Sequence, residues 1–291
     1  MIILKNILVT GANGQLGMEF RSLADQYPRF RFLFVTKEQL PINDTAAIDH
    51  YFSSNNIDYC INCAAYTAVD KAETENETAF EINGYAAGSL ATICKKQHTT
   101  FIHFSTDYVF NGEAKVPYKE TDETDPVNSY GASKLLGEQE ALKNNPATII
   151  IRTSWVYSSF GKNFVKTMLR LMNEKDHISV VNDQLGCPTY ANDLARAVME
   201  IISKNDKPLP GIYNYCNKGV ISWYEFALAI KEISGSDCKV NPINTEQYPT
   251  PAKRPAYSTL DTTKITETFH LNIPYWKDSL EKCIALIKQQ S

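Results

Sequence analysis

The sequence lacks long apolar runs, an excess of basic charge and any repeated cysteine motif. No unbroken apolar stretch of the 291-residue chain approaches the roughly 20 residues that a membrane-spanning helix needs. Lys and Arg number 29 against 33 Asp and Glu, and the formal net charge of -4 argues against a basic surface that binds nucleic acid or anionic membranes. The short N-terminal apolar run has no small-residue cleavage site. We therefore expect a cytoplasmic protein with a small-molecule partner, and neither nucleic acid nor a membrane.

The seven cysteines do not form the pattern of a secreted disulfide framework. Their odd number in a long chain without a secretion signal favours free thiols. Cys60 and Cys63 have CxxC spacing, but no second CxxC or spaced pair of histidines accompanies them. Because they lie in the apolar run Ile57 to Ala65, we predict core thiols rather than a redox or metal site, and we predict no metal.

The first half of the chain alternates short β-type runs with longer helical patterns, which is typical of βαβ units in an α/β fold with a parallel sheet. The predicted strands are Asn6 to Thr10, Arg31 to Val35, Tyr59 to Ala64, Thr100 to Ser105 and Thr148 to Arg152. The predicted helices are Leu16 to Asp25, Thr45 to Ser53, Asn76 to Gln97 and Tyr130 to Leu142.

The second half is richer in Pro, Asn, Gly and Tyr. Amphipathic helices are predicted there at Phe164 to Asn173 and Ser222 to Ile233. We predict a dinucleotide-binding domain over residues 1–155 and a smaller, mainly substrate-binding lobe over residues 156–291. A return of the chain to the large sheet near residues 211–215 stays open.

Glycines at positions 11, 14 and 17 follow the first predicted strand and open the first helix. One glycine permits the tight turn, another lets the backbone approach a phosphate, and the third lets the helix pack close to the strand. The exposed N–H groups and positive dipole end of that helix favour a pyrophosphate. A plain strand-to-helix turn is the alternative, but the N-terminal position and the spacing favour a Rossmann-type doubly wound sheet that binds a dinucleotide.

The end of the second strand indicates which dinucleotide. An acidic residue at that point would accept hydrogen bonds from a free ribose 2′-hydroxyl and repel a 2′-phosphate. This chain has Thr36 and Lys37 there, which tolerate a phosphate. We therefore predict NADPH, with NADH as the alternative. The alternative for Lys37 itself is a solvated loop residue.

Tyr130 and Lys134 stand four residues apart on a predicted helix, so they share one face. A nearby ammonium group favours the phenolate and would lower the phenol pKa from about 10. Tyr130 would then donate a proton to a carbonyl oxygen as hydride reaches the carbon. Thr106 lies where the fourth strand ends, at the sheet edge where ligands of such folds bind, and can hydrogen-bond the substrate oxygen or the phenol. The alternative for Tyr130 and Lys134 is an exposed helix on which the two side chains merely stack. The alternative for Asp107 is a cap for the following turn.

Several segments together resemble the dTDP-4-dehydrorhamnose reductases, a family of the extended short-chain dehydrogenase/reductase superfamily. Besides the glycine turn and the Tyr130 to Lys134 pair, they are Asn62 to Ala65, Thr67 to Glu73, Ser105 to Phe110, Arg152 to Tyr157, Asn182 to Thr189 and Tyr248 to Pro255. The resemblance covers nearly the whole chain. It implies reduction of the 4-keto group of a dTDP-4-keto-6-deoxysugar by NAD(P)H.

The resemblance also implies roles for individual residues. Tyr130 is the proton donor, Lys134 lowers its pKa and holds the nicotinamide ribose, and Thr106 tunes the phenol and touches the sugar. Asp107 and Trp155 match substrate positions, although Trp155 as buried core is the alternative. The residues that match cofactor-binding positions are Gly14, Gln15, Leu16, Ala64, Ala65 and Tyr66. For Arg254 we hypothesise a bidentate grip on the nucleotide diphosphate, against a plain surface charge.

Two departures from the family pattern matter. Thr36 stands where some members carry an acidic residue, which favours NADPH. Some members dimerise through Mg²⁺ held by acidic residues; Glu19 matches one of these, but Asn192 falls where another carboxylate is needed, so the sequence predicts no metal and leaves a homodimer open.

Two rival functions remain open on sequence grounds. One is a nucleotide-sugar epimerase or dehydratase, which uses the same Tyr and Lys without net cofactor turnover. The other is a non-catalytic regulatory subunit resembling the β subunit of methionine adenosyltransferase.

Overall fold

The computed structural model describes residues 4–205 and 207–290. The strands in chain order are β1 (Lys5–Thr10), β2 (Phe30–Phe34), β3 (Tyr59–Asn62), β4 (Thr100–Thr106), β5 (Ile149–Thr153), β6 (Val156–Tyr157), β7 (His177–Val181), β8 (Leu185–Gly186), β9 (Thr189–Tyr190), β10 (Gly211–Asn214), β11 (Ile221–Ser222) and β12 (Lys239–Ile243). The helices are α1 (Gln15–Leu23), α2 (Thr45–Ser54), α3 (Asn76–Phe80), α4 (Ala86–Lys96), α5 (Ser129–Asn144), α6 (Phe164–Glu174), α7 (Ala191–Lys204), α8 (Trp223–Ser234), α9 (Thr263–Phe269) and α10 (Trp276–Gln290).

Six strands form a central sheet in the order β10-β5-β4-β3-β1-β2, and every neighbouring pair is parallel. This confirms the predicted α/β, Rossmann-type doubly wound fold. The strands β2 and β3 lie on opposite sides of β1, so the direction of winding reverses at β1. Ligands of such sheets bind in the crevice at the carboxyl ends of the strands beside that reversal.

Helices cover both faces of the sheet, which explains the nearly continuous apolar strands. Helices α1 and α7 pack together on one face, and α2, α4 and α5 pack on the other. Within β1, Ile7 and Val9 join the core under α1 and α7, whereas Leu8 joins the core under α2 and α4. Cys60 of β3 joins the same core as Leu8, and its thiol is free. The first Cys of the CxxC spacing is thus part of the packed interior.

The second half of the chain contributes to two cores. Strand β10 pairs with β5 at the edge of the large sheet, and α7 and α9 pack on that sheet's core. Helices α6, α8 and α10 with the parallel pair β7 and β12 enclose a separate core. The division at residue 155 stays a proposal about function. In the described ranges, no helix is long and apolar enough to cross a membrane.

The predicted helix Asn76 to Gln97 is wrong in one respect, because one turn of π-helix, Glu81–Tyr85, separates α3 from α4. Asn83 lies in the middle of this π-helical turn. Its side-chain oxygen accepts a hydrogen bond from Tyr66 N at 2.8 Å, and its amide donates to Tyr66 O at 3.0 Å and to Ser133 Oγ at 2.9 Å. The π-turn therefore ties the loop after β3 to helix α5, and such turns are frequent at functional sites.

Candidate active site

The turn between β1 and α1 requires glycine at two positions. Gly11 adopts φ +61°, and a Cβ there would lie 2.6 Å from Ala64 N. A Cβ on Gly17 would lie 2.5 Å from Gly11 O, because the helix packs directly on the turn. Gly14 precedes α1 without any side-chain cap, so the first backbone N–H groups of the helix are left for a ligand. This turn has the form that holds a dinucleotide pyrophosphate.

A cavity of about 460 Å³ lies beside this turn. Thr36 and Lys37 line it, as do Ala64, Ala65 and Tyr66. The Tyr66 hydroxyl donates to Glu75 Oε2 at 2.7 Å across the cavity wall. The structure thus brings these predicted cofactor-binding residues together in the lining of one cavity.

Sequence reasoning missed Glu38, which lines the same cavity beside Lys37. A hydrogen bond with Thr36 lowers the pKa of Glu38, so this carboxylate is ionised at neutral pH. Its position after Lys37 was the available signal, because a ribose-binding acid is sought at the end of the second strand.

A second cavity of about 580 Å³ continues from the first. The two share a wall that includes Gly14, Ala64 and Ala65. The predicted site residues that line the second cavity are Gln15, Leu16, Thr106, Asp107, Tyr130, Lys134 and Trp155. One trough therefore runs from Lys37 past the helix N-terminus to Tyr130, as an extended dinucleotide and a sugar beside it would require.

Local sequence fixes the start of α5 and hence the place of Tyr130. Asn128 caps the helix, accepting a hydrogen bond from Gly131 N at 2.8 Å. Gly131 packs so closely on the turn after β4 that a Cβ would lie 2.1 Å from Tyr108 O. The Tyr108 ring meets the Tyr130 ring edge-on, with centroids 5.9 Å apart. Tyr130 is thereby held in the first turn of α5, beside the end of β4.

Lys134 is buried one turn further along α5. Its ammonium donates to the backbone oxygen of Phe104 at 2.6 Å. Thr106, the last residue of β4, donates through Oγ1 to Asp107 Oδ1 at 2.9 Å. The structure therefore brings Thr106, Tyr130 and Lys134 together on one cavity wall, as the sequence predicted.

The prediction that Lys134 lowers the pKa of Tyr130 is wrong. The pKa of Tyr130 is raised to about 12, first by burial and then by the Asp107 carboxylate, while a hydrogen bond with Thr106 opposes the rise. Burial lowers the pKa of Lys134 to about 8, against the effect of the Glu138 carboxylate. Burial is therefore the largest cause of both shifts, and the phenol keeps its proton at neutral pH.

Asp107 is buried and differs strongly from an ordinary surface carboxyl. Burial raises its pKa to about 7, although hydrogen bonds with Ser258 and Thr106 act in the opposite direction. The turn after β4 is capped by Thr106, whose Oγ1 accepts from Tyr108 N at 3.2 Å, and Asp107 lines the cavity that also contains Tyr130. Ser258, from the far end of the chain, is a neighbour that the sequence did not indicate.

Trp155 lies at the cavity wall and not in the core, and it is half-buried. Its indole stacks on the indole of Trp223 with ring centroids 3.6 Å apart and planes 11° apart. Sequence reasoning missed Trp223, the first residue of α8, which lines the same cavity. An aromatic residue directly after the helix cap Ser222 was the only local signal.

Arg254 is committed to another partner. Its Nη1 and Nη2 donate to Asp70 Oδ1 at 2.8 Å and Oδ2 at 2.9 Å, and Nη1 also donates to Ala252 O at 2.9 Å. Arg254 is not one of the described residues that line the two cavities. The guanidinium joins the segment before Pro255 to the loop after β3.

Glu19 and Asn192 do meet in space, as the resemblance implies. Glu19 is buried; its Oε1 accepts from Ser158 Oγ at 2.6 Å and its Oε2 from Asn192 Nδ2 at 2.8 Å. Burial raises the pKa of this carboxyl. Over residues 4–205 and 207–290, no group of three or more His, Cys, Asp or Glu side chains is placed to hold a metal ion.

Comparisons with known proteins agree on one family. Residues 5–289 match the family model described as the RmlD substrate binding domain. The chain is 42% identical to the spore coat polysaccharide biosynthesis protein SpsK of Bacillus subtilis, over 95% of each chain. It is 40% identical to the dTDP-4-dehydrorhamnose reductase of Sinorhizobium fredii, over 96% of each. The crystal structure of the Bacillus anthracis dTDP-4-dehydrorhamnose reductase in complex with NADP superposes with a TM-score of 0.93 at 35% identity, covering 98% of this chain and 100% of that one.

Proposed function

The chain belongs to the family of the RmlD substrate binding domain, and we propose on that premise that it is a dTDP-4-dehydrorhamnose reductase. It uses NADPH to reduce the 4-keto group of dTDP-4-dehydro-β-L-rhamnose, which gives dTDP-β-L-rhamnose, the last step of dTDP-L-rhamnose biosynthesis. The observation that carries this function is the trough in which Tyr130, Lys134 and Thr106 line the wall next to the glycine turn.

The protein's own residues supply the proton and the orientation. When bound in the trough, NADPH supplies the hydride that reduces the carbonyl carbon. Tyr130 gives its phenolic proton to the carbonyl oxygen, which becomes the hydroxyl of the product. Because its pKa lies near 12, the phenol is fully protonated when the substrate arrives. The phenolate left behind regains a proton from solvent.

Lys134 and Thr106 assist the proton donation by Tyr130. An ammonium group has three donors, so its bond to Phe104 O leaves donors for the nicotinamide ribose. Its positive charge stabilises the phenolate that forms during the reaction. The Thr106 hydroxyl, which donates to Asp107 Oδ1, would turn its proton to the phenolate as that anion forms, and its oxygen would accept from a sugar hydroxyl. Asp107 and Trp155 would hold the sugar.

The other residues that line the trough are assigned to cofactor binding. Gly11, Gly14 and Gly17 shape the seat for the pyrophosphate, with the first turn of α1 at Gln15 and Leu16. Thr36 and Lys37 would hold the 2′-phosphate, and Ala64, Ala65 and Tyr66 would hold the cofactor in the same cavity. For Arg254 we propose a conditional role, since a diphosphate would have to displace Asp70 from the guanidinium. The homodimer and the cytoplasmic location stay predictions.

The test supplies enzymatically made dTDP-4-dehydro-L-rhamnose and NADPH and follows the absorbance of NADPH. We expect NADPH to be consumed in step with the ketosugar by the wild type. Tyr130→Phe should bind NADPH normally and lose about 10²- to 10⁴-fold in turnover, because the ring remains and the proton does not. Tyr85→Phe, an exposed tyrosine on the π-turn, is the control and should match the wild type.

Constant NADPH absorbance with product formation would instead indicate an epimerase or dehydratase. Absence of turnover together with co-purification of a synthetase would indicate a regulatory subunit. Near-normal activity of Tyr130→Phe would remove Tyr130 from its assigned role.

A further inference from the structure

Two tryptophans from distant parts of the chain stack face to face at the wall of the second cavity. Trp155 follows β5, the last strand of the dinucleotide-binding half, and Trp223 begins α8 of the C-terminal lobe. Their rings are stacked at 3.6 Å, and both are half-buried and line the cavity that contains Tyr130. The pair therefore joins the two parts of the molecule beside the proton donor.

The surroundings of the pair specify its geometry. Trp155 has φ +48°, in the left-handed region that residues other than glycine seldom adopt. A Cβ on Gly186 would lie 2.6 Å from the Trp155 indole, so only glycine leaves room for that ring. On its other side, Trp223 contacts Phe164 with centroids 4.6 Å apart. A strained backbone that persists at a cavity wall is typical of a functional position.

The start of α8 is fixed as firmly as the rings. Ser222 Oγ accepts from Glu225 N at 3.1 Å, and Glu225 Oε2 accepts from Ser222 N at 2.7 Å, which forms a capping box. This cap sets the direction in which the next side chain, Trp223, leaves the helix. Three features thus determine the geometry of the stack: the capping box at Ser222, the absence of a side chain at Gly186 and the strained backbone of Trp155.

We propose that Trp223 is a positioning residue for the reduction, holding the Trp155 indole as a flat apolar wall against which the ketosugar ring packs. The inference rests on the proposed function. A 6-deoxysugar presents C–H groups and a methyl group on parts of its surface and oxygens elsewhere. The cavity offers both kinds of contact, since Thr106, Asp107 and Tyr130 line it with polar groups and the stacked indoles line it with apolar ring surface. Without Trp223 behind it, the Trp155 indole would lose its preferred orientation.

The experiment compares Trp223→Ala, Trp223→Phe and the control Tyr224→Ala with the wild type. Tyr224 is the next residue of α8, equally half-buried and packed on the same lobe core. We expect Trp223→Ala to raise KM for the ketosugar about three- to tenfold, the range for loss of one aromatic stack. Its kcat should change by less than about twofold and its NADPH affinity should not change, since uniform substrate binding is what is lost. Trp223→Phe should recover most of the lost affinity, and Tyr224→Ala should keep the wild-type KM.

Gly186→Ala provides a second route to the same result, because it displaces the Trp155 indole while Trp223 stays. We expect its KM to rise as in Trp223→Ala. Near-UV circular dichroism should show the signal of coupled indoles in the wild type and its loss in Trp223→Ala. A wild-type KM in either variant, once far-UV spectra show that it is folded, overturns the inference alone. A wild type without NADPH-consuming turnover overturns the proposed function and this inference with it.

Discussion

The ammonium group of Lys134 lies 2.6 Å from the backbone oxygen of Phe104, in the buried layer between α5 and β4. This contact anchors the cation one turn from the Tyr130 phenol, while burial lowers its pKa to about 8. The two groups of the predicted pair therefore titrate in different ranges, because the pKa of Tyr130 is about 12.

That difference predicts the pH dependence of the reduction. As pH rises through about 8, Lys134 loses its charge and the phenolate loses its stabilising cation, whereas Tyr130 is still protonated. We expect kcat/KM to fall above about pH 8. Lys134→Met should be slower by roughly 10- to 100-fold, the value of one charge-assisted hydrogen bond, and should lack this alkaline fall. The measurement is NADPH consumption between pH 6 and 10.

The matched control is Lys143→Met, on the same helix, which removes an exposed lysine paired with Glu140. It should keep both the rate and the alkaline fall. An alkaline fall that persists in Lys134→Met would assign the titration to another group.

Asp107 predicts a pH-dependent stability. Its folded pKa of about 7 lies above the unfolded value of about 3.9, so its contribution to stability is complete below about pH 3.9 and is lost as pH rises to about 7. Asp107→Asn cannot ionise. The difference between its free energy of unfolding and that of the wild type should therefore shift in favour of the folded variant from pH 5 to pH 8, by an amount on the order of 2 kcal/mol. Urea denaturation at the two pH values measures this.

Asp261→Asn serves as the control, because a hydrogen bond with Thr263 lowers the pKa of Asp261 and leaves it ionised at both values. Its stability relative to the wild type should not differ between pH 5 and pH 8. The same behaviour in Asp107→Asn would show that Asp107 titrates normally.

Substitution of Gly11 in the turn after β1 should combine backbone strain with a steric clash. Gly235, at the end of α8, is the control for strain alone. Gly235→Ala places a side chain at φ +76° with no atom within 4 Å of its Cβ, so it should cost only the left-handed strain of about 1–2 kcal/mol. Gly11→Ala has similar strain, but its Cβ would also lie 2.6 Å from Ala64 N. We expect a larger loss of stability on urea denaturation and a weaker NADPH affinity by fluorescence titration. Equal losses of stability in the two variants, with unchanged NADPH affinity, would contradict the clash.

Lys37 predicts the choice of cofactor. It is exposed at the rim of the first cavity, where a 2′-phosphate would lie. Lys37→Glu should lower the ratio of kcat/KM for NADPH to that for NADH by about tenfold or more, through loss of a charge-assisted contact and added repulsion. Lys95→Glu, an exposed lysine on α4, changes the net charge equally and should leave the ratio unchanged. If Lys37→Glu also leaves it unchanged, Lys37 is only a solvated loop residue.

Local patterns determined much of this protein. Alternating strands and helices determined the α/β sheet, since a strand buried on both faces reads as an apolar run wherever it occurs. The glycine spacing determined the phosphate turn, because Gly11 and Gly17 satisfy steric requirements within one short segment. The four-residue spacing of Tyr130 and Lys134 placed them on one helix face for the same local reason.

Other features depend on residues far apart in the chain, and only the tertiary structure decided them. Desolvation sets the Tyr130 pKa, and it depends on everything packed around the phenol, so a neighbouring lysine in the sequence indicated the wrong direction. The partners of Arg254 and Trp155, namely Asp70 and Trp223, are 184 and 68 positions away. A sequence pattern records periodicity along the chain, whereas burial and long-range contacts arise only when separate elements pack together.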